Sequence, residues 1–262
     1  MAGKIFVTGD CHGEFHKFNK AGFPEQTELD KEDYMIICGD FGGIWNVGWE
    51  NKNEKYWLNW LNDRPYTTLF CDGNHENYDR LYGYPVKEWH GGRVHEIRPS
   101  LLHLMRGEIY DICSKKVFVF GGAQCHDIEN GILSTEDPDF KKKKRFLDEF
   151  GRYRIDHLTW WKEELPSLEE IENASKHLEE NDFTVDYIIT HCIFPELQKI
   201  ITGYTDDNAL TDFLQTVEEH VKYKQWFFGH YHEEKSYSEL LEETDTDNEK
   251  LRLIYDQIQR IV

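Results

Sequence analysis

Long apolar runs are missing from this chain of 262 residues. No stretch approaches the roughly 20 consecutive apolar residues of a membrane-spanning helix. The N-terminus reads as a strand-like segment, not as a basic region leading into a hydrophobic one. The chain is therefore expected to be soluble and unsecreted, with no membrane partner. Paired cysteines are missing as well: Cys11, Cys38, Cys71, Cys113, Cys125 and Cys192 are scattered with no C-x-x-C spacing. That usage argues for buried, reduced thiols and a cytoplasmic setting. Positive charge is in short supply, since 30 Lys and Arg against 50 Asp and Glu leave a net charge of −20. Such a balance argues against wrapping long nucleic acid by bulk electrostatics. It leaves room for a short oligonucleotide, a nucleotide or a phosphopeptide at a local positive site. The local exception is Lys141-Lys142-Lys143-Lys144-Arg145, read as a solvated helix start in preference to a phosphate-gripping lid.

What is present suffices for a core. Hydrophobic residues make up 39% and aromatics 15%, which excludes a disordered chain in spite of the low mean hydropathy. Apolar, β-branched or aromatic runs of strand length recur at Lys4–Thr8, Tyr34–Cys38, Thr67–Cys71, Val117–Phe120, Val185–Thr190 and Gln225–Phe228. Helix-like segments separate several of them. Asn53–Leu61 sets Tyr56, Trp57, Trp60 and Leu61 at helical spacing, and Ser167–Glu180 opens with Ser167 and carries Glu170 three residues on, a capping box. The alternation implies a layered α/β fold. One domain over residues 1–262 is the simplest organisation, with an irregular, lid-like region at about 125–162. A terminal strand pair is expected at about 235–262, from Lys235–Leu240 and Leu251–Ile261, joined by the acidic stretch Glu242–Glu249.

Five of the strand-like runs end in polar clusters, and in open α/β sheets ligands gather outside the carboxyl ends of strands. The clusters are Asp10 and His12 in GDCHG, Asp40 in GDFGG, Asn74 and His75 in GNHE, His191 in THC, and His230 and His232 in GHYH. Imidazole nitrogen with carboxylate or amide oxygen is the donor set of zinc, iron or manganese, whereas thiolates would favour structural zinc. A binuclear centre needs one bridging carboxylate, and Asp40 is the natural choice. Asp10, His12 and one histidine of GHYH would complete one ion. Asn74, His191 and the other histidine would complete the second. Cys11, between two of these residues, is read as packing in preference to an added thiolate ligand. His16, His90, His95, His103, His157, His177 and His220 have no motif context.

This series resembles the calcineurin-like metallophosphoesterase superfamily, whose signatures run D-x-H, G-D, G-N-H-D/E, a lone histidine and G-H-x-H. The match extends from Asp10 to His232. The resemblance implies a four-layer α/β/β/α sandwich with two metals at one edge. It implies that Asp10, His12 and His232 hold one ion, that Asn74, His191 and His230 hold the other, and that Asp40 bridges. Two such cations lower the pKa of a shared water, so that hydroxide attacks in line, and neutralise charge on the phosphoryl oxygens. The leaving oxygen must then be protonated or otherwise stabilised. His75, beside Asn74 but not itself assigned to a metal, is the candidate for that task, the alternative being a hydrogen-bonding support for the ligands.

GDCHG and GNHE also resemble the protein serine/threonine phosphatase branch, whose second motif reads G-D-x-V-D-R-G. Here Gly43 replaces that branch's second aspartate, which orients the catalytic histidine, and Ile44 replaces its phosphate-binding arginine. Asp72 stands before GNHE where the branch carries another arginine. The phosphate must then be gripped from elsewhere. Candidates are His126 and Asp127 in GGAQCHD, then Arg152 and Arg154. Trp160-Trp161 suits base stacking, although an aromatic pair at a helix start is more often core. The sequence thus points to a phosphoesterase acting on a phosphorylated small molecule or nucleotide. The alternatives are a non-catalytic metal-binding scaffold for a protein partner, with Trp45 and Trp49 as a surface patch, or a nuclease acting on nucleic acid ends.

Overall fold

The computed structural model describes residues 3–149, 151–236 and 250–262. Strands β1 (Ile5–Thr8), β2 (Tyr34–Ile37), β3 (Thr67–Phe70), β4 (Val86–Trp89), β5 (Gly92–Arg98) and β6 (Leu101–Leu104) fill most of a first sheet, with helices α1 (Lys52–Asn62) and α2 (Tyr78–Leu81) between them. Strands β7 (Glu108–Ile112) and β8 (Lys115–Phe120) open a second sheet. A separate parallel pair, β9 (Ile132–Leu133) and β10 (Arg154–Ile155), brackets α3 (Phe140–Leu147). Beyond α4 (Leu168–Glu180) come β11 (Tyr187–Thr190), α5 (Pro195–Thr202), α6 (Ala209–His220), β12 (Gln225–Phe228), β13 (Lys235–Ser236), β14 (Leu251–Leu253) and β15 (Gln259–Arg260). The sheet orders are β15-β1-β2-β3-β6-β5-β4 and β13-β14-β12-β11-β8-β7.

Side chains alternate across a strand, and here both faces are buried, which is why the strands read as unbroken apolar runs. Ile5, Val7, Ile36, Leu69, Val117, Val119, Ile189 and Phe227 fill the space between the two sheets. Phe6, Met35, Ile37 and Phe70 face outward onto Leu58 and Leu61 of α1. On the far side Phe118, Ile188, Trp226 and Phe228 pack against α4 and α6 through Ala174, Leu178, Leu214 and Val217. The result is the four-layer α/β/β/α arrangement. The capping box of α4 is formed, with Glu170 N donating to Ser167 Oγ and Ser167 N to Glu170 Oε2.

Strands β1, β2 and β3 run parallel in one sheet, and β8, β11 and β12 in the other, so their carboxyl ends open onto one edge. The sequence did not announce β4 to β7. These strands form antiparallel pairs, and β4 is an almost fully exposed edge. The half-exposed faces of β4, β5 and β7 dilute the apolar signal, and β6, although buried throughout, is only four residues long with a histidine inside it. The basic run lies on α3, none of whose residues is buried. In the terminal region Lys235–Ser236 pairs antiparallel with Leu251–Leu253, whereas Gln259–Arg260 crosses to the first sheet beside β1. The stretch 242–249 lies outside the described residues. Among the described residues no helix is long and apolar enough to cross a membrane.

Ile189 is completely buried between the sheets, so Ile189→Ala is expected to lower unfolding stability by about 2–5 kcal/mol in urea titrations. Leu168→Ala, at an exposed position, should stay within about 0.5 kcal/mol of the parent.

Candidate metal centre

Five loops, each following a parallel strand, meet at the common edge. The ligand atoms of Asp10, His12, Asp40 and His232 form one group, and those of Asp40, His191 and His230 a second. Asp40 belongs to both. His12 Nε2 lies 2.9 Å from His232 Nε2, and Asp10 Oδ2 lies 3.2 Å from His232 Nε2 and 3.6 Å from His12 Nε2. Asp40 reaches both sides, with Oδ2 at 3.7 Å from His12 Nε2 and Oδ1 at 3.2 Å from His191 Nε2. Asn74 is buried on the loop that presses against Asp40.

The local backbone is bent to make these approaches. His12, Asp40, His230 and His232 all adopt positive φ, at 49°, 43°, 72° and 53°, a region that non-glycine residues enter mainly where surrounding structure compels it, often at functional sites. Gly73 is required by crowding, since a Cβ there would sit 2.2 Å from Asp40 Oδ1 and 2.5 Å from Asp40 N. Backbone N–H groups aim the carboxylates: His230 N donates to Asp10 Oδ1 at 3.0 Å and His75 N to Asp40 Oδ1 at 2.8 Å.

Several features fit these residues to metal ions. Ligand atoms bound about 2.0–2.2 Å from one ion lie about 2.8–3.6 Å from each other at tetrahedral to octahedral angles, close to the 2.9–3.7 Å found here. Asp10 Oδ2, Asn74 Oδ1 and His191 Nε2 are buried without a hydrogen-bond partner, a penalty that a coordinated cation would remove. His191 Nδ1 donates to Cys38 O at 2.8 Å, which turns Nε2 toward Asp40 and orients the ring as a ligand would be. Burial opposes charge on Asp10 and Asp40, yet both carboxyls are held well below the ordinary range, chiefly by His191. Burial likewise opposes charge on His191, but Asp40 and Asp10 outweigh it and raise its pKa. In the metal-free protein a proton on His191 balances charge that metal ions would balance. Cys11 stays outside both groups and turns its Sγ toward Gly9 O.

His75 stands at the mouth, half-buried, its ring 4.9 Å from that of His12 and 5.9 Å from that of Trp45. Burial lowers its pKa, and Arg154 contributes in the same direction. Trp45 in turn packs edge-on against the buried Trp161, 5.7 Å away. Trp45 is thus drawn into the site, and Trp49 is the exposed one of the two. Gly43 has no room for a side chain, because a Cβ would meet the Phe41 ring at 2.4 Å. Ile44 is core. Asp72 turns away from the two ligand groups into a buried network, accepting hydrogen bonds from Arg106 Nε and Tyr78 OH, both at 2.8 Å, with His103 Nε2 at 3.1 Å.

The lid-like region meets the site on two sides. The His126 ring lies 5.6 Å from that of His230 and is held by Asp206 and the Tyr204 hydroxyl. Asp127 pairs with Arg154, while Arg152 is exposed and pairs with Glu129. Sequence reasoning overlooked Glu164, whose Oε1 accepts from Cys125 N at 3.0 Å and Trp160 Nε1 at 2.8 Å. Its other oxygen is buried without a partner, and burial pushes the carboxyl up to about 7. It also overlooked Glu76, the last residue of GNHE, which accepts from Phe41 N at 2.7 Å and ties two ligand loops together.

A family model described as calcineurin-like phosphoesterase matches residues 3–234. Among curated proteins, lariat debranching enzyme A of Xenopus laevis is 31% identical over 98 residues, covering 33% of this chain. The match covers only 18% of that protein's length.

Gly73→Ala is expected to destabilise the protein by about 1–3 kcal/mol and to lower bound metal measured by elemental analysis. A second expectation concerns Glu164. The folded protein retains a proton there that the unfolded chain has released by about pH 5, so this group's contribution to stability is lost as pH rises through 7. Urea titrations of the metal-free protein should show the stability of Glu164→Gln, relative to the parent, rising by about 2–3 kcal/mol between about pH 4 and pH 8. A difference independent of pH would refute this.

Proposed function

Because the chain belongs to the calcineurin-like phosphoesterase family, we propose that it hydrolyses phosphoesters at a two-metal centre, with Asp10, His12 and His232 holding one ion, Asn74, His191 and His230 the other, and Asp40 both. The observation that carries this reading is the sharing of Asp40 between two ligand groups, beside three buried ligand atoms that lack a hydrogen-bond partner. Nitrogen and oxygen donors without thiolate favour manganese, iron or zinc. When bound, such ions supply Lewis acidity to the phosphoryl oxygens and lower the pKa of a shared water.

The remaining chemistry falls to side chains of the protein. The His75 peptide N–H fixes Asp40, and the imidazole, held against Trp45 and His12, is the group placed to protonate the leaving oxygen. Its lowered pKa keeps it largely neutral at pH 7, and an arriving phosphoryl anion raises its proton affinity. Trp45 packs against the imidazole, where the resembling branch orients it with an aspartate at the position of Gly43. The substrate is a phosphorylated small molecule or a nucleotide, and the region at about 125–162 covers it.

A second reading is cleavage of a phosphodiester in nucleic acid, favoured by the partial likeness to a protein named as a lariat debranching enzyme. The net charge of −20 limits that reading to short stretches near the metals.

Manganese-loaded protein is expected to hydrolyse an aryl phosphate monoester or diester, and Asp40→Asn to abolish turnover. His75→Gln should retain both metals while lowering kcat by about 10²–10⁴. Two bound metals with no turnover of monoesters, diesters, nucleotides or oligonucleotides would instead support a scaffold.

A further inference from the structure

We propose that Arg154 is the residue that grips the phosphoryl oxygens of the substrate, with Asp127 holding its guanidinium in place. The proposal rests on the phosphoesterase reading and adds the substrate-binding cation to it.

The two positions where the resembling branch carries phosphate-binding arginines hold Ile44 and Asp72, and both are buried. Other cations around the site are committed elsewhere. Lys17 Nζ donates to three backbone carbonyls, Gly9 O at 3.2 Å, Asp10 O at 2.9 Å and Tyr255 O at 3.0 Å. Arg106 is buried against Asp72 and Glu163 O. Arg80 is paired with Glu54 and Asn46 O. Arg152 lies at the surface with Glu129.

Arg106 also has a buried nitrogen, Nη1, without a hydrogen-bond partner, but its side chain is sealed from solvent, whereas that of Arg154 is partly exposed. A guanidinium has five donors. In Arg154, Nη2 is paired with Asp127, and Nε is buried without an acceptor. An unpaired buried donor is unfavourable, and an incoming oxyanion would relieve it in a two-pronged geometry that a lysine cannot reproduce. The backbone beneath it is fixed, with Arg154 opposite Ile132 and Ile155 opposite Leu133 in the β9–β10 pair.

Both flanks of this pair touch the metal edge. Asp127 follows His126, whose ring abuts His230. On the other flank Trp160 bonds Glu164, and Trp161 packs on Trp45, which packs on His75. The positive charge of Arg154 is felt at Glu164.

The test is calorimetric titration of inorganic phosphate into the full-length, manganese-loaded protein, beside metal content, unfolding midpoint and KM for an aryl phosphate. Arg154→Ala should weaken phosphate binding and raise KM by tenfold or more, with two metals and the midpoint retained. Arg154→Lys should recover only part of the loss. Lys162→Ala, which removes an equal charge from an exposed lid position, should change neither. Phosphate affinity within twofold of the parent in Arg154→Ala overturns the proposal. So does full recovery in Arg154→Lys, or a parent protein that binds no phosphate. Should Arg154→Ala lose metal, Arg154→Lys alone decides by the same criterion. Arg154-dependent phosphate binding without ester hydrolysis would sink the phosphoesterase reading and leave the grip standing. Undiminished hydrolysis in Arg154→Ala would do the reverse.

Discussion

Asp10 and Asp40 are carboxylates buried where two sheets end, and buried negative charge persists only if cations and hydrogen-bond donors surround it. Much of the local architecture answers that demand. Peptide N–H groups of residues 230 and 75 point at these carboxylates. Gly73 and Gly229 admit them at distances no Cβ would tolerate. Left-handed backbone at His12, Asp40, His230 and His232 swings imidazoles toward the same spot. His191, locked through Cys38 O, supplies the nearest balancing proton.

Behind the ligand loops lies a further set of buried polar groups that determines where they sit. Asp72 directly precedes Gly73 and Asn74, and it is clamped by Arg106, Tyr78 and His103, with His95 stacked on His103. Breaking one member of such a network leaves another buried and unpaired. An aspartate here therefore anchors the loop from below, where the resembling branch uses an arginine to reach outward. This position is thereby withdrawn from the open side of the site.

What the sequence made legible follows from this division. The central strands stood out because both faces are apolar, and the polar cluster after each stood out because buried chemistry interrupts an apolar pattern. Their meeting at one edge followed from parallel strand direction. The hairpins between Val86 and Ile112 were hidden by half-exposed faces and charged edge residues. Glu164 and Trp45 were illegible because their roles depend on how the region 125–165 folds back over the edge. Arg152 and Arg154 could not be told apart in sequence. The β9–β10 pairing takes up Arg154, whose side chain is mostly covered, and leaves Arg152 at the surface.

The carbonyl of Tyr255 accepts from Gly9 N at 3.0 Å, from Thr8 Oγ1 at 3.2 Å and from Lys17 Nζ at 3.0 Å, while β15 lies along β1. The first ligand loop is thus braced by residues 247 positions away in sequence. Contacts of such separation form late in a growing or refolding chain, since loop closure must precede them. Asp10 and His12 therefore reach their braced positions only once the last strand has docked against β1.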